Sequence, residues 1–318
     1  MPPLPTDPDA LVRRLVEADR RSVAEVLTRL ESQSADASAL LARVVPHLGK
    51  AFVAGITGPP GAGKSTLVNA LIAEARAVGL RVAVLAVDPS SPVSGGAILG
   101  DRIRMTAAHD DDGVLVRSLG SRGSLGGLTP AAVRMIDALD AAGFGLILLE
   151  TVGTGQSEVD VAQIADVVLV VSAPGLGDGI QAMKAGLLEI ADILVVNKAD
   201  REGAERTADE LSAALALRAA AGDVPVMRTV AVTGAGVPAL WQEIERRGTA
   251  RRAEPLETRR RRRARYLIAR AAADLIQSRI RSGDASADAL ADAVLSGAIR
   301  PLEAAAGLLG AVNAEQKT

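Results

Sequence analysis

The string Gly58-Pro59-Pro60-Gly61-Ala62-Gly63-Lys64-Ser65 combines residue types that can hold a chain of phosphates. Gly58, Gly61 and Gly63 let backbone N–H groups turn inward around an anion, with Pro59 and Ala62 completing the loop. Lys64 is long enough to reach the β- and γ-phosphates and counts as a catalytic candidate, while the Ser65 hydroxyl can ligate Mg²⁺ and Thr66 opens the next helix. An apolar run, Ala51 to Thr57, feeds the loop and a helix-forming run, Thr66 to Val78, leaves it. That context separates a P-loop from a chance glycine-rich turn and implies a nucleoside triphosphate.

The apolar run Ile193 to Val196 ends in Asn197-Lys198-Ala199-Asp200. A carboxylate at Asp200 can accept from guanine N1–H and the exocyclic amine, whereas adenine presents an acceptor at N1; sites built on such bonds discriminate by roughly 10⁴-fold. Asn197 and Lys198 are expected to tie this loop to the P-loop and cover the base. GTP is favoured over ATP.

Acidic residues stand where a γ-phosphate would be sensed. The strand-like run Arg81 to Val87 ends in Asp88, and Gly145 to Leu149 ends in Glu150, both at strand C-termini, where open α/β sheets bind ligands. Asp88 and Glu150 are candidates for holding Mg²⁺ and its waters; the competing reading is that each caps the following turn or helix. Gly153 can bring its N–H close to a γ-phosphate, and Gln156 and Glu158 can position water or simply open a helix. Asp101, behind paired glycines at 95 and 96, is a third acidic candidate, and no arginine finger is evident in these strings.

The strings GITGPPGAGKSTL (Gly55 to Leu67), VDPSSP (Val87 to Pro92), GGAILGDRIRM (Gly95 to Met105), SRGSLGGL (Ser121 to Leu128), ETVGTGQSEVD (Glu150 to Asp160), IQAMKAGLLEIAD (Ile180 to Asp192) and NKAD follow in order. In them the chain resembles the MeaB/ArgK-type GTPases associated with methylmalonyl-CoA mutase, of the SIMIBI class. The resemblance implies GTP/GDP and Mg²⁺ as ligands. Phosphate and Mg²⁺ would fall to Lys64 and Ser65, the acidic Mg²⁺ and water-organising set to Asp88, Asp101 and Glu150, and guanine to Asp200. Gln181 and Lys184 fall in the family's partner-responsive segment, where Gly179 replaces a commonly acidic residue; Val230-Ala231 stands where GTPases usually carry Ser-Ala, and the resemblance implies a base contact from the backbone N–H of Ala231. The implied function is a GTP-hydrolysing switch that gates cofactor loading and protects or reactivates an adenosylcobalamin-dependent acyl-CoA mutase, with a homodimer built by C-terminal helices. The alternatives are a nucleotide-dependent kinase or ATPase of amino-acid (arginine/ornithine) transport, against which Asp200 speaks, and an RNA- or ribosome-associated GTPase.

These groups need a scaffold, and periodicity supplies one. From Ala51 to about Gly248, strand-length apolar runs alternate with helical segments, the pattern of an α/β P-loop NTPase with a mainly parallel sheet covered by helices. Residues 1–50 read as an N-terminal helical extension, with helices at Asp9 to Asp19 and Ser22 to Leu30, the second opened by a Ser22-x-x-Glu25 capping box. Residues 51–250 form the GTPase domain, with further strands near Val114 to Val116, Val167 to Val171 and Val226 to Val232. Residues 251–318 read as a helical segment, interrupted at Gly297-x-x-x-Pro301, and the resemblance implies that it serves dimerisation. Its basic run Arg259 to Arg263 reads as a solvated helix face rather than a nucleic-acid or partner surface.

A net charge of −2 over 318 residues gives no electrostatic case for nucleic acid or membrane. Met1 to Asp9 lacks the pattern of a signal peptide and no apolar run reaches membrane-spanning length, so a cytoplasmic location is expected. Zero cysteines exclude disulfides, and His47 and His109, far apart in sequence, do not suggest a transition-metal site.

Overall fold

Strands buried on both faces read as near-continuous apolar runs, and such runs form the centre of this molecule. The computed structural model describes residues 4–88, 111–120, 128, 130–151, 157–176, 185–217, 223–281 and 285–315. Its strands are β1 (Phe52–Thr57), β2 (Val82–Asp88), β3 (Val114–Gly120), β4 (Leu146–Thr151), β5 (Val167–Ser172), β6 (Ile193–Val196) and β7 (Val226–Arg228). They make one sheet in the order β3-β2-β4-β1-β5-β6-β7, and every described pair is parallel. All strand C-termini therefore reach one edge, where the loops after β1 and β6 and the end of β4 carry the candidate site.

The first helices are α1 (Pro8–Val16), α2 (Arg20–Ser32) and α3 (Ala37–Val44), packed on α5 (Pro130–Ala141). Helix α3 is absent from the sequence-based expectation; its eight residues bury only Leu40 and Val44, a stripe too short to stand out. Helix α2 also starts earlier than predicted. Asp19 is its N-cap and accepts from the Ser22 backbone N–H at 3.0 Å. Ser22 is the buried third helical residue, because an aspartate one turn upstream caps equally well and lets the helix gain a turn.

Helix α4 (Lys64–Ala77) follows the phosphate loop and shares one face of the sheet with α9 (Val237–Arg252). Phe52, Ala54 and Ile56 of β1 meet Leu67 and Leu71 of α4 and Trp241 and Ile244 of α9 there. On the opposite face α6 (Ser157–Ile164) lies so close to β1 that a Cβ on Gly55 would stand 2.4 Å from Val161 Cγ2. Two further helices, α7 (Ala185–Ile190) and α8 (Ala204–Ala216), precede β6 and β7. Strand β7 is shorter than predicted: at Thr229 the chain leaves the sheet for a turn closed by a Val230–Ala235 bridge.

The chain forms two compact units, Met1–Arg262 and Arg263–Thr318. Helix α10 (Leu256–Arg281) begins in the first, and α11 (Ala285–Leu295) and α12 (Pro301–Glu315) lie in the second. Gly297, at φ +76°, ends α11 and Pro301 opens α12, as the sequence predicts. The arginine run corrects another expectation, since its start is not a solvated face. Arg259 is 3% exposed, donates to the Ala51 carbonyl at 3.3 Å and stands 3.6 Å from Asp166. Arg262 bonds Asp166 Oδ1 at 3.1 Å and the Ala165 carbonyl at 3.1 Å. Asp166 also accepts from the Val53 N–H at 2.9 Å, so one buried carboxylate joins β1, the end of α6 and α10. Asp166→Ala leaves the Arg259 charge buried without it and is expected to cost about 3–5 kcal/mol. Urea unfolding followed by fluorescence of Trp241, the single tryptophan, measures this; a loss under about 1 kcal/mol would refute the clamp.

Candidate nucleotide site

The loop between β1 and α4 takes its shape from glycines with positive φ: Gly58 at +135°, Gly61 at +80° and Gly63 at +87°. A side chain at two of them has no room. A Cβ on Gly58 would fall 2.0 Å from the Val171 carbonyl oxygen, and one on Gly63 would fall 2.4 Å from Asn197 Nδ2. The loop therefore fits against β5 and against the loop after β6 only as glycine.

Lys64 is 7% exposed and folds back over the loop, its Nζ donating to the carbonyls of Gly58 at 2.8 Å and Pro59 at 3.0 Å. Ser65 Oγ donates to Glu150 Oε1 at 2.7 Å. Glu150, 2% exposed, arrives from the end of β4, whose register sets it beside Ile56 and so on the face that α4 covers. A hydroxyl and a carboxylate oxygen so placed are hard donors of the type Mg²⁺ prefers. Among the described residues no three His, Cys, Asp or Glu side chains gather as a metal-binding group.

The second loop is physically joined to the first. Asn197, 2% exposed, donates Nδ2 to the carbonyl of Ala62 at 3.0 Å and more weakly to that of Gly63 at 3.4 Å. Lys198, in the left-handed region at φ +57°, donates Nζ to the Gly61 carbonyl at 2.7 Å. The Ala231 N–H donates to Asn197 Oδ1 at 3.1 Å, so the amide proposed from sequence for the base is engaged within the protein. Gly63, Thr66, Asn197, Lys198, Asp200 and Ala231 line a cavity of about 230 Å³, with Arg201 and Val232 at its wall. Val232 is 85% exposed and belongs to no motif; its place in the wall depends on a turn that the sequence reads as strand. The expectations for Asp101, Gly153, Gln156, Gln181 and Lys184 fall outside the described residues, as does the side chain of Asp88.

A parallel sheet with a glycine loop, a lysine at the start of α4 and a neighbouring Asn-Lys-x-Asp loop defines a P-loop GTPase. The sequence profile described as "Methylmalonyl Co-A mutase-associated GTPase MeaB" matches residues 23–285, and the chain belongs to that family. A Pyrococcus horikoshii relative that carries a GTPase name is 52% identical over 242 residues, covering 74% of this chain and 76% of its own. The mouse "Methylmalonic aciduria type A homolog, mitochondrial" is 37% identical over 253 residues, covering 73% of this chain and 61% of its own. The crystal structure of a LAO/AO transport system kinase superposes with TM-score 0.73 at 25% identity, covering 95% of this chain and 96% of that one. The protein is thus a guanine-nucleotide-binding GTP hydrolase, and among its described residues no helix is long and apolar enough to cross a membrane.

Proposed function

We propose that this GTPase is a molecular switch that assists an adenosylcobalamin-dependent acyl-CoA mutase in the cytoplasm, gating cofactor loading and protecting or reactivating the enzyme. The observation that carries the switch reading is the Asn197 bridge, because it makes the base loop and the phosphate loop one unit that responds to a single nucleotide. The mutase as client rests on the family's description and on the name of the mouse relative.

In this reading the cavity at Asp200 takes the guanine and the backbone N–H groups from Gly61 to Thr66 surround the phosphates. Lys64 exchanges its two carbonyl contacts for phosphate oxygens, which places its charge where negative charge develops at the transferred phosphoryl group. Ser65 and Glu150, with Asp88 and Asp101 as sequence-derived additions, would hold Mg²⁺, which supplies charge neutralisation across the phosphates. Gly153 and Gln156 serve as γ-phosphate contact and water-positioning group. The C-terminal helices, which leave Ile268, Leu295 and Leu302 69%, 84% and 79% exposed, serve a homodimer.

The test is steady-state GTP hydrolysis by the protein alone and with cobalamin-dependent mutases, with ATP as control. A slow basal rate raised by one mutase is expected, since the described site offers Lys64 as its only cationic group in the phosphate loop. A GTP rate indifferent to every mutase would remove the client, and ATP turnover with phosphate passed to a protein would favour the transport-kinase alternative.

A further inference from the structure

Thr57 ends β1 and Thr151 ends β4, and both are 0% exposed. The register that sets Ile56 beside Glu150 sets Thr57 beside Thr151, and across four strands the row reads Val87, Thr151, Thr57, Val170. Ile56 and Glu150 face α4, so alternation along the strands turns this row to the opposite face, which α6 covers. The next row on that face, Leu85, Leu149, Gly55 and Val168, carries no polar side chain. Valine would fill either threonine position with the same outline and no polar atom. Instead two hydroxyl oxygens are shut away from solvent there, and among the described residues neither has a hydrogen-bond partner. An unmatched hydroxyl in an apolar layer costs stability, and two of them side by side point to a partner that they share. Neighbouring strands lie about 4.8 Å apart. One water at about 2.8 Å from each oxygen spans that separation, and a hydroxyl can donate to it or accept from it. Buried waters take such places, bonded to polar groups that the protein leaves otherwise unmatched.

We infer that Thr57 and Thr151 hold one internal water between the ends of β1 and β4, and that they are thereby positioning residues for hydrolysis. Each stands one residue from a group of the site. Thr57 precedes Gly58, whose carbonyl receives Lys64 Nζ, and Thr151 follows Glu150, which receives Ser65 Oγ. A shared water fixes the separation of the two strand ends, so that Lys64 and Glu150 meet the phosphates in constant register. Neither threonine reaches the nucleotide, because both side chains lie on the far face of the sheet from α4. The inference rests on the reading of the Gly58 to Ser65 loop as the phosphate site.

The test is a double-mutant cycle of Thr57→Val and Thr151→Val, read by single-turnover hydrolysis of bound GTP and by urea unfolding. Each single substitution leaves the water with one hydroxyl and is expected to slow hydrolysis about fivefold, the loss of one buried hydrogen bond, and to lower the urea midpoint. The double variant removes the water outright. Its rate is expected to fall about fivefold as well, instead of the about 25-fold of independent sites, and its midpoint to return to the wild-type value or above. Thr57→Ser and Thr151→Ser keep the hydroxyl and are expected to restore the rate, and a high-resolution crystal structure with GDP is expected to show one water bonded to both Oγ1 atoms. Losses that multiply in rate and add in stability would make the hydroxyls independent and overturn the shared water. Single variants with wild-type rates and unchanged or raised midpoints would overturn it too. Coupled midpoints with wild-type rates would overturn the positioning role alone. Lys64→Ala is measured beside them: if it hydrolyses GTP like the wild type, the phosphate-site reading fails, and the coupling of the midpoints still decides the water.

Discussion

Asp200→Asn is expected to weaken GTP binding on the order of 10³- to 10⁴-fold and to admit xanthosine triphosphate as a substrate. The two side chains have the same shape, and Asp200 is exposed in a turn anchored elsewhere, so the loop survives the change. Its anchors are Asn197 N–H to the Ser172 carbonyl at 2.8 Å, Ala199 N–H to Thr229 at 3.0 Å and Arg201 N–H to Lys198 at 3.0 Å. What changes is hydrogen-bond polarity. Guanine presents two donors, N1–H and its amine, to a carboxylate that can accept both; an amide accepts one and opposes the other with its own N–H. Xanthine carries a carbonyl where guanine carries the amine, and the amide matches that edge. Competition binding with guanosine, inosine and xanthosine triphosphates resolves the question, and an unchanged guanine preference would remove Asp200 from the base site.

Much of the scaffold was legible in the sequence because its signals are local. Ile193–Val196 appears as the strand its four apolar residues suggest, and the runs at Phe52 and Leu146 differ from expectation by a residue or two at their ends. The phosphate loop was readable because the geometry it requires excludes side chains at Gly58 and Gly63, and that exclusion is written as glycine. The expected tie between Asn197, Lys198 and the P-loop appears as bonds to Ala62, Gly63 and Gly61.

The illegible parts depend on partners far away in the chain. Asp140 accepts from the N–H groups of Gly49, Lys50 and Ala51 at 2.8, 2.8 and 2.9 Å and so fixes the entrance to β1 from a helix some ninety residues on. Nothing in the neighbourhood of Asp140 distinguishes it from a surface aspartate, and the same holds for Asp166. The arginine run misled for the same reason: a charged string reads as solvated until a buried carboxylate is known to face it. Thr229 escaped because a strand-like Val226 to Val232 conceals the turn in which its hydroxyl donates to Asn197 Oδ1 at 3.2 Å.

Lys64→Ala is expected to slow single-turnover hydrolysis by about 10²- to 10³-fold, the cost of removing one preorganised donor from a developing oxyanion. The fold survives, because the amine's described bonds run to two carbonyls of its own loop, whose course the positive-φ glycines set independently. Those bonds also hold the lysine head group at its own loop, so binding requires an exchange of acceptors rather than a search by an extended side chain. The lost charge falls unequally on the two nucleotides, since the γ-phosphate is present only in GTP. The variant is therefore expected to lose more affinity for GTP than for GDP, and paired titrations measure the difference. Lys64→Arg keeps the charge but brings a planar guanidinium to a place shaped for an ammonium, so it is expected to recover affinity more than rate. Equal losses for GDP and GTP, with hydrolysis of the bound triphosphate intact, would assign Lys64 to holding the loop and remove it from the chemistry.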